Sequence, residues 1–216
     1  MMEVKVEKEM KVYTIGHSNH KIDDFIKLLR KYAVNCIVDV RSDPFSKHLP
    51  QFNKDDLERA LKEEKIEYLH FGKEFGARRT EKELLGYNGK VDFEKVRNTN
   101  EFKKGVERLK KGIEKGYIIT LLCAEKDPAE CHRFALVSVG LVEAGFTVEH
   151  ILADGTVRKH EEVEKELINK RKNDIANYCI PFSEKEKKTN KQSAKEIMYS
   201  KKEEEIAYSV VREKPQ

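Results

Sequence analysis

Cys123, Glu125, Cys131, His132 and Arg133 fall within one short segment, Leu121–Phe134, where two thiols, acids, an imidazole and a guanidinium crowd together. Residues of these types support three kinds of chemistry. A thiol beside positive charge becomes a nucleophilic thiolate. An imidazole paired with a carboxylate moves protons. An arginine at a helix start, with the unpaired amides of the first turn, holds an anion. The short Cys-to-Arg loop of phosphatase-type and sulfur-transfer sites is absent, because nine residues separate Cys123 from Arg133. Cys123 and Cys131 could instead form a reversible disulfide, or share a metal with His132 and His17. Structural zinc normally shows tighter spacing on at least one side. No metal ligand is therefore assigned and no cofactor is expected, zinc being the ion these donors suit.

Two other stretches carry candidate groups. Gly16-His17-Ser18 places an imidazole and a hydroxyl in a turn, where His17 could act as a base. Asp39 and Arg41 bracket Val40 and so point to one side of a strand end. Arg41 could grip a phosphate while Asp39 orients His17 or His132. Every one of these residues also has a plainer reading. Cys123 could be a buried inert thiol, Asp39–Arg41 an ion pair, and Arg133 a salt bridge to Glu125, Asp127 or Asp39.

A third stretch interleaves Tyr68, Phe71, Phe75 and Tyr87 with Lys73, Arg78, Arg79 and Lys82. Stacking rings among basic groups suit a nucleotide or a single strand. A solvated loop with buried aromatics is the plainer alternative.

The elements that must position these groups alternate between strand and helix patterns. Val12–Gly16, Cys36–Val40, Ile66–Phe71, Tyr117–Cys123 and Thr147–Leu152 read as strands. Their runs are continuously apolar rather than alternating, which marks strands buried on both faces of a parallel sheet. Helical spacing falls between them, most clearly over 100–115 and 131–144. The expected fold is α/β: one open, mostly parallel, five-stranded Rossmann-like sheet with helices on both faces, plus a helical C-terminal extension. Ligands bind such sheets beyond the carboxyl ends of the strands, and His17, Arg41 and Cys123 all lie there. Residues 1–182 are read as the α/β domain, with Asn177–Phe182 packing back on it. Residues 183–216 are read as a charged tail, either a docked helix or a mobile segment.

The 216 residues are 38% apolar and 38% charged, with a formal net charge of +4. Residues 183–216 contribute nine Lys/Arg against seven Glu, so neither part of the chain is a polycation of the kind that announces nucleic-acid binding. Apolar runs are strand-sized, which excludes a membrane span. The N-terminus lacks a signal-peptide core, and four cysteines without a small-scaffold pattern fit reduced thiols. A cytoplasmic location is expected.

Four ordered motifs carry a resemblance: Thr14-Ile15-Gly16-His17-Ser18; Val38-Asp39-Val40-Arg41-Ser42-Asp43-Pro44; Leu122-Cys123-Ala124-Glu125-Lys126-Asp127-Pro128 with Cys131-His132-Arg133; and His150-Ile151-Leu152-Ala153-Asp154-Gly155 with His160. Over about Tyr13 to Leu167 the chain resembles the family called domain of unknown function 488. Phe75-Gly76-Ala77 stands where that family would show Leu-Gly-Gly. The family carries no agreed reaction, so the resemblance implies the fold and the site but no activity.

The residues together point to a small enzyme acting on an anionic substrate such as a nucleotide or nucleic-acid component. His17, Asp39, Cys123, Glu125 and His132 are the catalytic candidates, and Ser18, Arg41, Arg78 and Arg133 the anion-binding ones. The alternatives are a cysteine-dependent sulfur-transfer or redox enzyme using Cys123, with Cys131 resolving, and a non-catalytic nucleic-acid-binding module. The expected partner is a small anionic ligand or a nucleic acid. The sequence does not set the oligomeric state.

Overall fold

A computed structural model of the chain describes residues 9–171 and 186–210. Six strands, β1 (Lys11–Gly16), β2 (Cys36–Asp39), β3 (Glu67–His70), β4 (Ile119–Cys123), β5 (Thr147–Ile151) and β6 (Val157–Lys159), form one sheet in the order β3-β2-β4-β1-β5-β6. The first five run parallel, and β6 is antiparallel to β5. The five expected strands are all present; the sixth was not anticipated. Thr156-Val157-Arg158-Lys159 is too short and polar to read as a strand. It pairs because Gly155, at φ +77°, turns the chain directly back onto β5.

The chain winds outward from β1 to β2 and β3, then returns to insert β4 between β2 and β1 before moving on to β5. One face of the sheet presents Ile15, Ile37, Leu122 and Ile151 to Phe25 and Leu29 of α1 (Ile22–Lys31), Leu57 and Leu61 of α2 (Lys54–Glu63), and Phe52. Between β3 and β4 come the short α3 (Gly72–Phe75) and α4 (Phe93–Arg97) and the long α5 (Asn100–Glu114). The other face buries Val12, Val38, Leu121 and Val148 against Val106, Leu109 and Ile113 of α5 and against Phe134. Winding reverses between β1 and β4, which opens a crevice beyond the ends of β1, β2 and β4.

The segment expected as one helix over 131–144 begins instead as a π-helical stretch, Arg133–Ser138, continued by α6 (Val139–Glu143). Ser138 Oγ donates to the Arg133 carbonyl at 2.6 Å and so satisfies the wider turn. Single π-helical turns often mark functional sites, and this one begins at the site's own Arg133.

The C-terminal extension is helical. After α7 (His160–Lys170), α8 (Glu186–Ile206) docks through fully buried Met198 and nearly buried Lys202, which bonds Glu130 at 2.7 Å. A polar seam joins α7 and α8 to the sheet. Thr14 Oγ1 lies 2.8 Å from His150 Nδ1, His150 Nε2 lies 3.1 Å from His160 Nδ1, and His160 Nε2 lies 2.9 Å from Tyr199 Oη. Tyr199 Oη closes the chain on the Glu164 carboxylate. Glu164 is ionised and can only accept, so Tyr199 donates to it and accepts in turn from His160 Nε2. The expected packing of Asn177–Phe182 lies outside the described residues. Among the described residues no helix is long and apolar enough to cross a membrane.

Candidate active site

Beyond β1, β2 and β4 lies an open cleft of about 690 Å³. His17, Ser18, Arg41, Arg78, Cys123, Glu125 and His132 line it together. Asp39 and Arg133 are absent from its lining; both are wholly buried behind the wall.

The end of β1 sets the first side. His17 N–H and Ser18 N–H donate to the carbonyls of Cys123 and Ala124 at 3.0 and 2.8 Å. Gly16 makes this possible: a Cβ there would stand 1.8 Å from the Glu125 carbonyl oxygen. Ser18 sits at φ +46°, a left-handed conformation uncommon for a side-chain-bearing residue. The His17 ring stacks on Phe52 with centroids 4.5 Å apart. Its Nδ1 donates to the Ser18 carbonyl at 2.8 Å, which leaves Nε2 as the acceptor facing Arg41 Nη1 at 3.3 Å. Burial, with the Arg41 charge adding to it, pushes His17 down to about 4. His17 is neutral, and its lone pair is spent on a guanidinium rather than free to act as a base.

The end of β2 sets the second side. Arg41 Nε meets both Asp39 oxygens at 2.9 and 3.1 Å, and Nη2 meets Oδ2 at 2.5 Å and the Phe52 carbonyl at 2.9 Å. Tyr68 Oη donates to Asp39 Oδ2 at 2.8 Å. Asp39 is thus the anchor of Arg41. Its expected contact with His17 or His132 is replaced by this bidentate pair, since β2 ends with both side chains on one side. Arg41 Nη1 alone of the guanidinium nitrogens meets no oxygen among the described residues.

The end of β4 and its loop supply the thiol cluster. Glu125 Oε2 stands 3.1 Å from Cys123 Sγ and 2.8 Å from Cys131 Sγ. His132 Nδ1 is 3.6 Å from the first sulfur and 3.9 Å from the second. His132 Nε2 lies 3.2 Å from the Val40 carbonyl. Glu125 is exposed as a residue, yet this oxygen sits against two buried thiols. Burial, then the neighbouring Cys131, raises Cys123 and Glu125 above their ordinary ranges. Burial also opposes ionisation of Cys131, but the Cys123 thiol and the charges of Arg133 and His132 outweigh it and pull Cys131 well down. The pair therefore gives up one proton readily and holds the other.

Arg133 is not placed as an anion clamp. Its Nη1 and Nη2 donate to the carbonyls of Glu125 and Lys126 at 2.7 and 3.1 Å, and its Nε has no partner. The amides at this helix start are also taken: Arg133 N–H goes to Cys131 Sγ at 3.4 Å and Phe134 N–H to the Cys131 carbonyl at 3.0 Å. Arg133 fixes the loop that carries Glu125.

Arg78 reaches the cleft mouth on a loop held by its backbone, its N–H donating to Ser42 Oγ at 2.9 Å. Ala77 does not adopt positive φ, so alanine stands there without backbone strain. The aromatic row between Tyr68 and Tyr87 does not form a stacking platform. Tyr68 is tied to Asp39, Phe71 and Phe75 lie in the core, and only Tyr87 is fully exposed. Other cleft residues carried no local signal in the sequence. Phe45 follows a proline in an irregular loop, and Ile206 and Tyr208 come from the extension.

Fold and site together define an open, mostly parallel α/β protein with a polar, thiol-bearing cleft at the point where its sheet reverses winding. A family model described as "Domain of unknown function DUF488" matches residues 21–139, more than half of the chain, and the chain belongs to that family. The matched segment includes Asp39, Arg41, Arg78 and the whole Cys123–Arg133 cluster; His17 and His150 lie outside it. No curated protein and no solved structure matches the chain.

Proposed function

We propose that the cleft is the active site of an enzyme acting on a small anionic substrate, a nucleotide or nucleic-acid component. The observation that carries this reading is Arg41. A guanidinium clamped by a buried carboxylate lines the cleft that also holds Cys123, Glu125 and His132, and among the described residues its Nη1 meets only the His17 ring. A cation pre-oriented in this way binds an anion with little ordering cost. Arg78 at the mouth and Lys126 on the wall add positive charge, while Ser18 offers a hydroxyl. Phe45 and Tyr208 are exposed rings on the same cleft, placed to stack a base. The volume suits a ligand of that size. In this reading Arg41 and Arg78 hold the charge, and Cys123, Glu125 and His132 face the reacting end.

Thermal unfolding of the full chain with phosphate, pyrophosphate and a set of nucleotides tests it. Phosphate-bearing ligands should raise Tm. Arg78→Ala, an exposed change, should weaken their apparent affinity roughly tenfold, the worth of one charge-assisted bond. A flat response to every ligand would overturn the reading.

The cysteine-dependent alternative draws on one contact, the two thiols resting on the same Glu125 oxygen. Its measurement is the alkylation rate of Cys123 against pH; a slow, ordinary thiol removes it.

A further inference from the structure

Four donor atoms converge at the cleft floor. One ligating atom from each of Cys123, Glu125, Cys131 and His132 lies within 4.8 Å of all the others. We propose that these four side chains form a zinc site, with Cys123, Cys131 and His132 as its fixed ligands and Glu125 as the ligand on the cleft side.

The orientation of His132 is the first argument. The Val40 carbonyl, 3.2 Å from Nε2, can only accept, so Nε2 carries the hydrogen. Nδ1 is then the ring nitrogen that faces both sulfurs and is left to ligate. Metal-binding histidines are held in this way, with the second ring nitrogen bonded to a backbone carbonyl.

Distance is the second argument. Zinc holds thiolate sulfur at about 2.3 Å and imidazole nitrogen at about 2.0–2.1 Å, so a tetrahedral sulfur–nitrogen edge is about 3.5–3.6 Å. The two edges here are 3.6 and 3.9 Å. Glu125 Oε2, at 3.1 and 2.8 Å from the sulfurs, sits several tenths of an ångström tighter than a coordinated oxygen. Glu125 is the exposed member of the set, and a small outward turn of its side chain admits the ion.

Charge is the third argument. Arg133 is wholly buried, its Nε is unpartnered, and among the described residues it forms no ion pair. A buried cation without a counter-charge is costly. Two thiolates, one carboxylate and one divalent ion sum to a net negative centre beside it. Its amide already donates to Cys131 Sγ at 3.4 Å. Binding releases two protons to solvent, one from Cys123 and one held between Cys131 and His132, so that both sulfurs ligate as thiolates and the imidazole as a neutral ring, and nothing is oxidised or reduced. Soft sulfur with imidazole and carboxylate selects zinc over magnesium or calcium. Three fixed ligands and one on the open side match sites where the fourth position exchanges with substrate. That last role, contact with the anion, rests on the active-site reading above; the site itself does not.

The test uses the full chain purified after growth with added zinc, and cobalt(II) added to the metal-stripped chain. Expected are about one zinc per chain and, with cobalt, the visible bands and sulfur-to-metal charge transfer of a tetrahedral thiolate site. Glu125→Gln should keep the fold and weaken zinc binding at least ~10-fold. Cys131→Ser should abolish the charge transfer, and Cys36→Ala, at the opposite strand end, should leave it unchanged. Substoichiometric uptake by a chain folded by circular dichroism overturns the proposal. So does uptake without charge transfer, or uptake indifferent to Glu125→Gln. Phosphate protection measured on stripped and loaded chains separates the two claims. Protection without metal uptake sinks only the zinc site, while metal uptake without protection by any ligand sinks only the anion reading.

Discussion

His150 Nε2 and His160 Nδ1 lie 3.1 Å apart, so one hydrogen bridges the two buried rings. Burial, then the neighbouring His160, pushes His150 well below its ordinary value of 6.5. The unfolded chain protonates this ring near 6.5. The contribution of neutral His150 is therefore full above that pH and is lost as pH falls below it, by up to about 1.4 kcal/mol per pH unit. Glu164 acts lower on the scale. Against the burial that would raise it, bonds from His160, Lys195 and Tyr199 hold it at about 2, below its ordinary 4.5. Its contribution is full above 4.5 and is lost between 4.5 and 2. Urea unfolding should show stability declining from about pH 7 to 5 and falling further in stronger acid. His150→Asn should flatten the upper part. An unchanged slope in that variant would assign the decline to other groups.

Asp39 and Arg41 should behave as a unit. Asp39→Ala leaves a buried guanidinium without its carboxylate and should cost about 3–5 kcal/mol. Tyr68→Phe removes one bond to Asp39 and should cost about 1–3 kcal/mol. It should also weaken anion binding, by loosening the clamp, although Tyr68 does not line the cleft. Denaturant midpoints and ligand protection measured on the same samples separate the two effects.

Gly16→Ala tests how closely β1 must approach the Glu125 loop. The new methyl would meet a backbone carbonyl rather than a flexible side chain. The expected cost is about 1–3 kcal/mol, a drop in Tm of roughly 3–10 °C at this size. A tolerated alanine would show that the loop yields.

Tyr208→Ala should separate base from phosphate. The ring is exposed on the cleft lip, so its loss should cost nucleotide binding about tenfold through lost stacking. Inorganic phosphate binding should stay as it was. Equal losses for both would place Tyr208 in a merely structural role.

The sheet could be read from the sequence because its strands are buried on both faces. Ile119–Cys123 is wholly inside, and such runs stay apolar throughout. β6 could not be read, since an antiparallel edge of three polar-flanked residues exists only through its turn. The convergence of His17, Arg41 and Cys123 followed from strand polarity alone. What each group bonds to did not. Asp39 could have served three partners, and only the register of β2 beside β4 and the position of Phe52 and Tyr68 assign it to Arg41. Arg133 showed the same limit. Spacing marks a helix start, but the π-helical turn and the carbonyls of Glu125 and Lys126 decide where its fork goes.

Ile206 and Tyr208 belong to the extension, beyond the stretch matched by the family model, yet they form one bank of the cleft. In the reading proposed above, a ligand therefore meets residues from two separate parts of the polypeptide at once. The strand ends bring His17, Arg41 and Cys123, and the end of α8 with the residues just after it adds Ile206 and Tyr208. If the cleft binds as proposed, exchanging that segment for another should change which ligands enter while leaving the strand ends as they are.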